Sequence, residues 1–332
     1  MISSHAFAPS IGGIETVSAL LAREFIRLGH EVRIVTQTPG ENVAAFPVLR
    51  RPSLGKLVEV LRWCDVYWQN NLSLRTLWPA LSLGRPVIVT HQGSYCRSPF
   101  GIDLAQRLKH TVIRRLTSVA PSRAVANCFA KRSTIIPNPY DADAFRRTTP
   151  VAERPADLIF LGRLVSEKGV DILLEALARL RGREVFPRLT IAGAGPELSA
   201  MKEMAQRLEL SEQVSFVGPK RGAELVNLLQ EHDILVVPSR YDEPFGVVAL
   251  EGIACGCVIV GSSGGGLSEA IGPCGRTFPN GDAEALALVL AELLRQPNER
   301  AKLRVQASEH LARFHPTMIA EAYLALFHSK LT

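Results

Sequence analysis

Short runs of apolar and β-branched residues alternate along this chain with stretches in which apolar side chains recur every three or four positions. The first pattern fits strands buried on both faces, and the second fits helices with one apolar stripe. In the first half the runs predict strands at Val32–Thr36, Val66–Trp68, Val87–Thr90, Val119–Pro121 and Thr134–Pro137. Between them the spacing predicts helices such as Glu15–Leu28, with Val17, Leu20, Leu21 and Phe25 on one face. In the second half the predicted strands are Leu158–Leu161, Leu189–Ala192, Val214–Val217, Ile234–Val237 and Val258–Val260. The accompanying helices are Val170–Leu180, Glu197–Leu208, Gly222–Gln230, Phe245–Ala254 and Ala283–Arg295.

Alternation of this kind is the mark of parallel α/β architecture. Pro137, Pro139, Pro150 and Pro155 punctuate a polar stretch between the halves, which reads as a linker. The expected fold class is therefore α/β, with two doubly wound Rossmann-like domains in tandem and an interdomain cleft. The domains are set at residues 1–145 and 146–315, with a closing helical segment at 316–332 that packs back on the first. Such sheets bind ligands beyond the carboxyl ends of their strands.

At 332 residues the chain has room for two cores, and 47% hydrophobic with 21% charged residues excludes a disordered or fibrous protein. No apolar run is long enough to span a bilayer, and the first residues lack the pattern of a secretion signal. Cys64, Cys96, Cys128, Cys255, Cys257 and Cys274 form no C-x-x-C pair, which points to reduced thiols, a cytoplasmic setting and no structural zinc.

Charge changes the picture of the first half. Residues 1–150 hold 19 lysines and arginines against 9 acids, while the rest holds 19 against 23. The densest basic cluster, Arg107, Lys109, His110, Arg114 and Arg115, falls in a segment, 104–116, with helical apolar spacing. A basic amphipathic helix can rest on an anionic membrane, making this segment the expected peripheral contact, or it can be an ordinary solvated face.

The sharpest chemical pattern is D-E-P-F-G-V-V-A-L-E-G-I-A, which sets Glu243 and Glu251 eight positions apart around a Pro-Phe-Gly turn. A carboxylate among Val, Ala, Leu and Ile needs a partner, and paired sugar or ribose hydroxyls are suitable donors. After the strand ending at Leu161, the turn G-R-L-V-S-E-K-G supplies Arg163 and Lys168 just before a helix, a diphosphate site in physical terms. Alone these two would read as surface charges; beside the two glutamates they do not. Gly12 and Gly13 form a glycine turn before the first helix, and Gly264, Gly265 and Gly266 form another before Leu267. Gly193-Ala194-Gly195-Pro196 lacks the third glycine of a dinucleotide fingerprint, which disfavours a nicotinamide site. His91 follows the strand Val87–Thr90 and is expected to aim its imidazole into the cleft.

With these motifs assembled, the chain resembles the retaining glycosyltransferases of family 4, which have the GT-B fold. The resemblance rests on G-G-I-E at Gly12–Glu15, G-H-E-V at Gly29–Val32, I-P-N-P at Ile136–Pro139, L-G-R-L-V-S-E-K-G at Leu161–Gly169, A-G-A-G-P at Ala192–Pro196, E-P-F-G-V-V-A-L-E at Glu243–Glu251 and G-G-L-S-E at Gly265–Glu269. It implies transfer of a hexose-type sugar from a nucleoside diphosphate sugar to an acceptor hydroxyl, with retention and without a metal or other cofactor. It further implies a role in cell-envelope polysaccharide or glycolipid synthesis.

The same resemblance implies residue roles. Arg163 and Lys168 would grip the diphosphate, Glu251 the ribose, and Glu243 with Phe245 and Gly246 the sugar hydroxyls. Phe216 and Val217 would lie at the base, and Gly265 and Gly266 line the donor site. Gly12 and Gly13 would meet the phosphates from the other domain, and His91 would stand near the anomeric carbon. The expected partners are a nucleotide sugar and a carbohydrate or lipid-linked acceptor, with no nucleic acid. Two departures stand out: only Met1 to Phe7 precede the glycine turn, a clipped first strand, and Asn138-Pro139 replaces the usual Asn-Gly. An epimerase of the same architecture, or a non-catalytic nucleotide-sugar-binding protein, would share these motifs.

Overall fold

The computed structural model describes residues 1–9, 12–41, 46–93, 113, 116–129, 133–148, 154 and 156–331. They form two compact units, Met1–Tyr140 with Phe314–Thr332, and Asp141–Arg313. The crossings thus fall at Tyr140 and Arg313, where the sequence had suggested 145 and 315.

The first unit is built on parallel strands β1 (Ile2–Ser4), β2 (Ile34–Thr36), β3 (Val48–Arg50), β4 (Tyr67–Asn70), β5 (Val87–Thr90), β6 (Thr117–Ala120) and β7 (Thr134–Ile135), ordered β3-β2-β1-β4-β5-β6-β7. The stretch read as a clipped strand is a three-residue central one: Ile2 pairs with Ile34 on one side and Trp68 on the other. Its serines are buried but satisfied, Ser3 Oγ lying 3.2 Å from Thr76 Oγ1 and Ser4 Oγ accepting from Ser18 at 3.1 Å. Helix α1 (Gly13–Arg27) starts just beyond it. Helices α2 (Leu54–Trp63) and α3 (Leu74–Ser82) flank β4, and the single turn α4 (Arg123–Ala126) follows β6.

Alternation along β4 sends Tyr67 and Gln69 to one face and Trp68 and Asn70 to the other. Trp68 donates to Thr90 Oγ1 at 2.8 Å and packs on Tyr323 of the closing helix (Pro316–His328), with ring centroids 4.8 Å apart. That helix also meets α1, where Phe25 and Phe327 rings lie 5.7 Å apart and Arg27 donates to Thr317 at 2.7 Å. Near the unit's end Gln92 and Asn138 exchange two amide hydrogen bonds of 2.8 Å, tying the Asn138-Pro139 segment to the loop after β5.

The second unit carries β8 (Ala156–Leu161), β9 (Leu189–Ala192), β10 (Val214–Phe216), β11 (His232–Val237), β12 (Val258–Ser262) and β13 (Gly275–Phe278), all parallel, ordered β10-β9-β8-β11-β12-β13. Helices α5 (Val170–Arg181), α6 (Leu198–Arg207), α7 (Gly222–Glu231), α8 (Val247–Ala254), α9 (Leu267–Ile271), α10 (Ala283–Arg295), α11 (Pro297–Val305) and α12 (Ala307–Ala312) join the strands and complete the unit. Val170, Leu173 and Leu177 of α5 and Leu286 and Leu290 of α10 share one core with Phe160 and Val236 of the sheet. The closing helix of the chain is α13.

The sheet order reverses between β8 and β11, the switch point at which a doubly wound sheet opens a crevice beyond its strands. Two expectations need correction here. The helix expected from Phe245 begins at Val247, because Gly246 takes a left-handed φ of +98° that a continuing helix does not allow. Cys128 is disulfide-bonded, against the expectation of reduced thiols, while Cys64, Cys255, Cys257 and Cys274 are free and buried.

Among the described residues no helix is long and apolar enough to cross a membrane. The basic segment 104–116 lies outside the described residues except for Ile113 and Leu116, both buried in the first unit's core.

Candidate functional site

The turn after β8 is fixed by backbone contacts that only glycine permits. Gly162 and Leu164 donate to the carbonyls of Ala192 and Ala194 at 3.1 and 2.9 Å, so this turn runs against the loop after β9. A Cβ on Gly193 would sit 1.8 Å from Gly162 O, and one on Gly195 2.1 Å from Leu164 O. The two glycines of A-G-A-G-P thus serve close approach of two loops. Ser166–Lys168 then closes a 3-10 turn onto Gly169, whose φ is +66° and whose Cβ would meet Pro238 O at 2.0 Å. Arg240 N donates to Glu167 O at 2.8 Å, and the Arg240 guanidinium pairs with Asp171. These contacts press the β8 turn against the end of β11.

Lys168 consequently reaches Glu243, 75 positions away. Its Nζ lies 2.5 Å from Glu243 Oε1, which also accepts from Ser239 Oγ at 2.6 Å, while Tyr241 donates to Oε2 at 2.6 Å. The Glu243 side chain is only 7% exposed and that of Lys168 21%. A charge so deep is tolerated because each carboxylate oxygen is met by a donor. Burial first, and then the Glu243 charge, push the Tyr241 hydroxyl far above the usual phenol range, whereas Arg163 pulls it the other way. Arg163 is exposed and, among the described residues, is in no ion pair or hydrogen bond. Two cations, Arg163 and Lys168, and two carboxylates, Glu243 and Glu167, therefore act on Tyr241 at the switch point.

The main chain of Glu243 is held too. It forms a parallel bridge to Gly265, and Gly266 N donates to its carbonyl at 2.7 Å. Phe245 is buried, and Gly246 turns the chain into α8. Glu251 is the fifth residue of that helix, half-buried, just over one turn in. Burial, then the charge of Asp141, raise its carboxyl to about 7, and no hydrogen bond or ion pair reaches it among the described residues. Phe216 and Val217 lie at the carboxyl end of β10, where Val217 N donates to Ile191 O at 3.0 Å and Lys202 Nζ stands 5.9 Å from the Phe216 ring centroid.

The structure thus brings Arg163, Lys168, Glu243, Phe245, Gly246, Glu251, Gly265 and Gly266 to the central rim of the second sheet, with Phe216 and Val217 on the same rim two strands out. Gly12, Gly13 and His91 belong to the first unit. Gly12 precedes α1, and a Cβ on Gly13 would meet nothing within 4 Å, leaving open space there. His91 departs from expectation: its ring is fully buried against Phe129, 4.1 Å between centroids, and does not face open space. Ser239 and Tyr241 went unnoticed in the sequence; hydroxyls two and four positions before a candidate glutamate were the available signal.

Comparison with known proteins gives the class and then the family. The crystal structure of Anabaena Alr3699/HepE in complex with UDP superposes with a TM-score of 0.83, covering 99% of each chain at 20% identity. That of WaaG, a glycosyltransferase involved in lipopolysaccharide biosynthesis, gives 0.77 over 98% of this chain and 99% of that one at 18% identity. The fold is accordingly GT-B, two parallel-sheet α/β domains. The family model for glycosyl transferases group 1 matches residues 141–310, and the chain belongs to that family. Glycogen synthase of Mycobacterium tuberculosis is 36% identical over 204 residues, 58% of this chain and 48% of that protein. D-inositol 3-phosphate glycosyltransferase of Stackebrandtia nassauensis is 34% identical over 200 residues, 57% of this chain and 45% of that one. The matches span about half the length of these relatives.

Proposed function

We propose that this protein is a glycosyltransferase that moves a hexose-type sugar from a nucleoside diphosphate sugar to an acceptor hydroxyl, with retention and without a metal. The observation that carries the reading is the Lys168–Glu243 pair at the switch point of the second sheet, with Arg163 exposed beside it. Lys168 and Arg163 would hold the diphosphate, and Glu243 the sugar hydroxyls, in company with the backbone at Phe245, Gly246, Gly265 and Gly266. Glu251, which has an acceptor pair to offer, would take the ribose hydroxyls, and Phe216 and Val217 would border the base. His91 is assigned to shaping the acceptor side, through packing.

In the reaction the bond from the anomeric carbon to the β-phosphate oxygen breaks. A bond to the acceptor oxygen forms on the same face, and the acceptor proton passes to the departing phosphate. Negative charge grows on the diphosphate, and the two cations stabilise that charge where it develops. Those cations are the basis for assigning no metal. Support for an acceptor in polysaccharide or glycolipid assembly comes from relatives: a glycogen synthase, and a neighbour in lipopolysaccharide biosynthesis.

The reading is tested by incubating the protein with a panel of nucleotide sugars, with and without EDTA, and following nucleoside diphosphate by chromatography and the released sugar, its anomeric configuration and the remaining nucleotide sugar by proton NMR. Release from one donor in the presence of EDTA, with the anomeric configuration kept, is expected. No release from any donor, or release of an epimerised nucleotide sugar, would contradict it.

A further inference from the structure

Glu243 is held by three side chains that do not play equivalent parts. Lys168 and Ser239 share Oε1, whereas Tyr241 alone reaches Oε2. The function proposed above asks both ends of the ion pair to change partners, Lys168 taking the diphosphate and Glu243 the sugar hydroxyls. When Lys168 leaves, the carboxylate loses its countercharge while remaining almost wholly buried. To accept from two hydroxyls it must also stay in one orientation, since an interaction that binds the transition state has to be in place before the reaction.

Tyr241 is suited to this. Its hydroxyl lies 3.4 Å from Lys168 Nζ, and the ammonium stands 5.3 Å from the ring centroid, so the tyrosine touches both members of the pair. Its raised pKa keeps it a donor at any working pH.

We propose that Tyr241 is a positioning residue for the donor sugar, its hydroxyl holding the Glu243 carboxylate in the sugar-binding orientation once Lys168 has exchanged Glu243 for the diphosphate. In the free protein Lys168 and Glu243 neutralise each other; in the loaded protein Tyr241 and Ser239 hold the carboxylate between them. This inference rests on the glycosyltransferase reading, and it predicts that Tyr241 matters for the sugar and not for the nucleotide.

The test is a double-mutant cycle with Tyr241→Phe and Glu243→Gln, read by calorimetry with the best donor of the panel and with its nucleoside diphosphate, and by turnover. Tyr241→Phe should leave nucleoside diphosphate affinity within about twofold of wild type and lower kcat/KM for the donor about tenfold. The double variant should be no worse than Glu243→Gln alone, because the hydroxyl acts through that carboxylate. Losses that add in the double variant, an equal loss for donor and nucleoside diphosphate, or an unchanged Tyr241→Phe would overturn the proposal. A wild-type protein that binds the donor but transfers nothing would sink the enzymatic reading, while the binding cycle would still decide the role of Tyr241.

Discussion

Glu243 and Gly265 run side by side as an isolated parallel bridge, and a Cβ on the glycine would lie 2.3 Å from the glutamate's carbonyl oxygen. Gly265 also has φ +70°, a left-handed conformation that side chains resist. Gly265 is therefore what lets the loop after β12 clasp the residue that meets Lys168.

Gly265→Ala should push the Glu243 backbone out of place. We expect a loss of about 2 kcal/mol or more of stability, from strain and clash together, read as a lower midpoint in urea unfolding. An unchanged midpoint would mean that the loop tolerates a side chain there and does not fix Glu243.

Glu251→Gln tests the carboxyl raised to about 7 from an ordinary 4.5. Between those values the folded chain keeps a proton that the unfolded chain gives up, so stability falls as pH rises through this window. The penalty is absent below about pH 4.5 and complete above about pH 7. The amide should therefore leave the Tm unchanged near pH 4.5 and raise it at pH 8, by the equivalent of about 1–3 kcal/mol. Donor affinity should show the opposite slope. Ribose hydroxyls favour the ionised carboxylate, so wild-type affinity should rise from pH 6 to pH 8, and Glu251→Gln should flatten that rise.

In the first unit, Thr90 Oγ1 is met by Trp68 Nε1 and by the Tyr323 hydroxyl, each at 2.8 Å. Tyr323→Phe removes one buried hydrogen bond without opening a cavity, and should cost about 1–2 kcal/mol in thermal unfolding. Trp68→Ala removes the ring on which Phe25, Tyr323 and Phe327 converge, and should cost about 3–5 kcal/mol. Equal effects from the two would place the stabilising contact elsewhere.

Much of this architecture could be read from the chain because apolar periodicity is local. Ala283–Arg295 and Leu189–Ala192 have the bounds expected, and the β8 and β11 runs fell where a switch point needs them. Some short strands were harder to read, one seen only as clipped and two missed. Ile2–Ser4 has two serines in a central strand, buried only because Thr76 and Ser18 meet them from elsewhere in the fold. Val48–Arg50 and Gly275–Phe278 carry too few apolar residues for a run. The candidate site was legible as motifs, but not as contacts. Nothing near Lys168 in sequence announces that Gly169 packs on Pro238 and so delivers the lysine to Glu243. His91 illustrates the reverse, a residue in a suggestive place whose ring is taken up by Phe129.

The most direct measurement is the kinetics of Lys168→Ala with the best donor of the panel. Because the lysine charge is worth most as the diphosphate departs, kcat should fall about 100-fold or more while the donor dissociation constant changes by less than about tenfold. Turnover equal to wild type would contradict the account, since the ammonium that meets Glu243 would then have no part in the reaction.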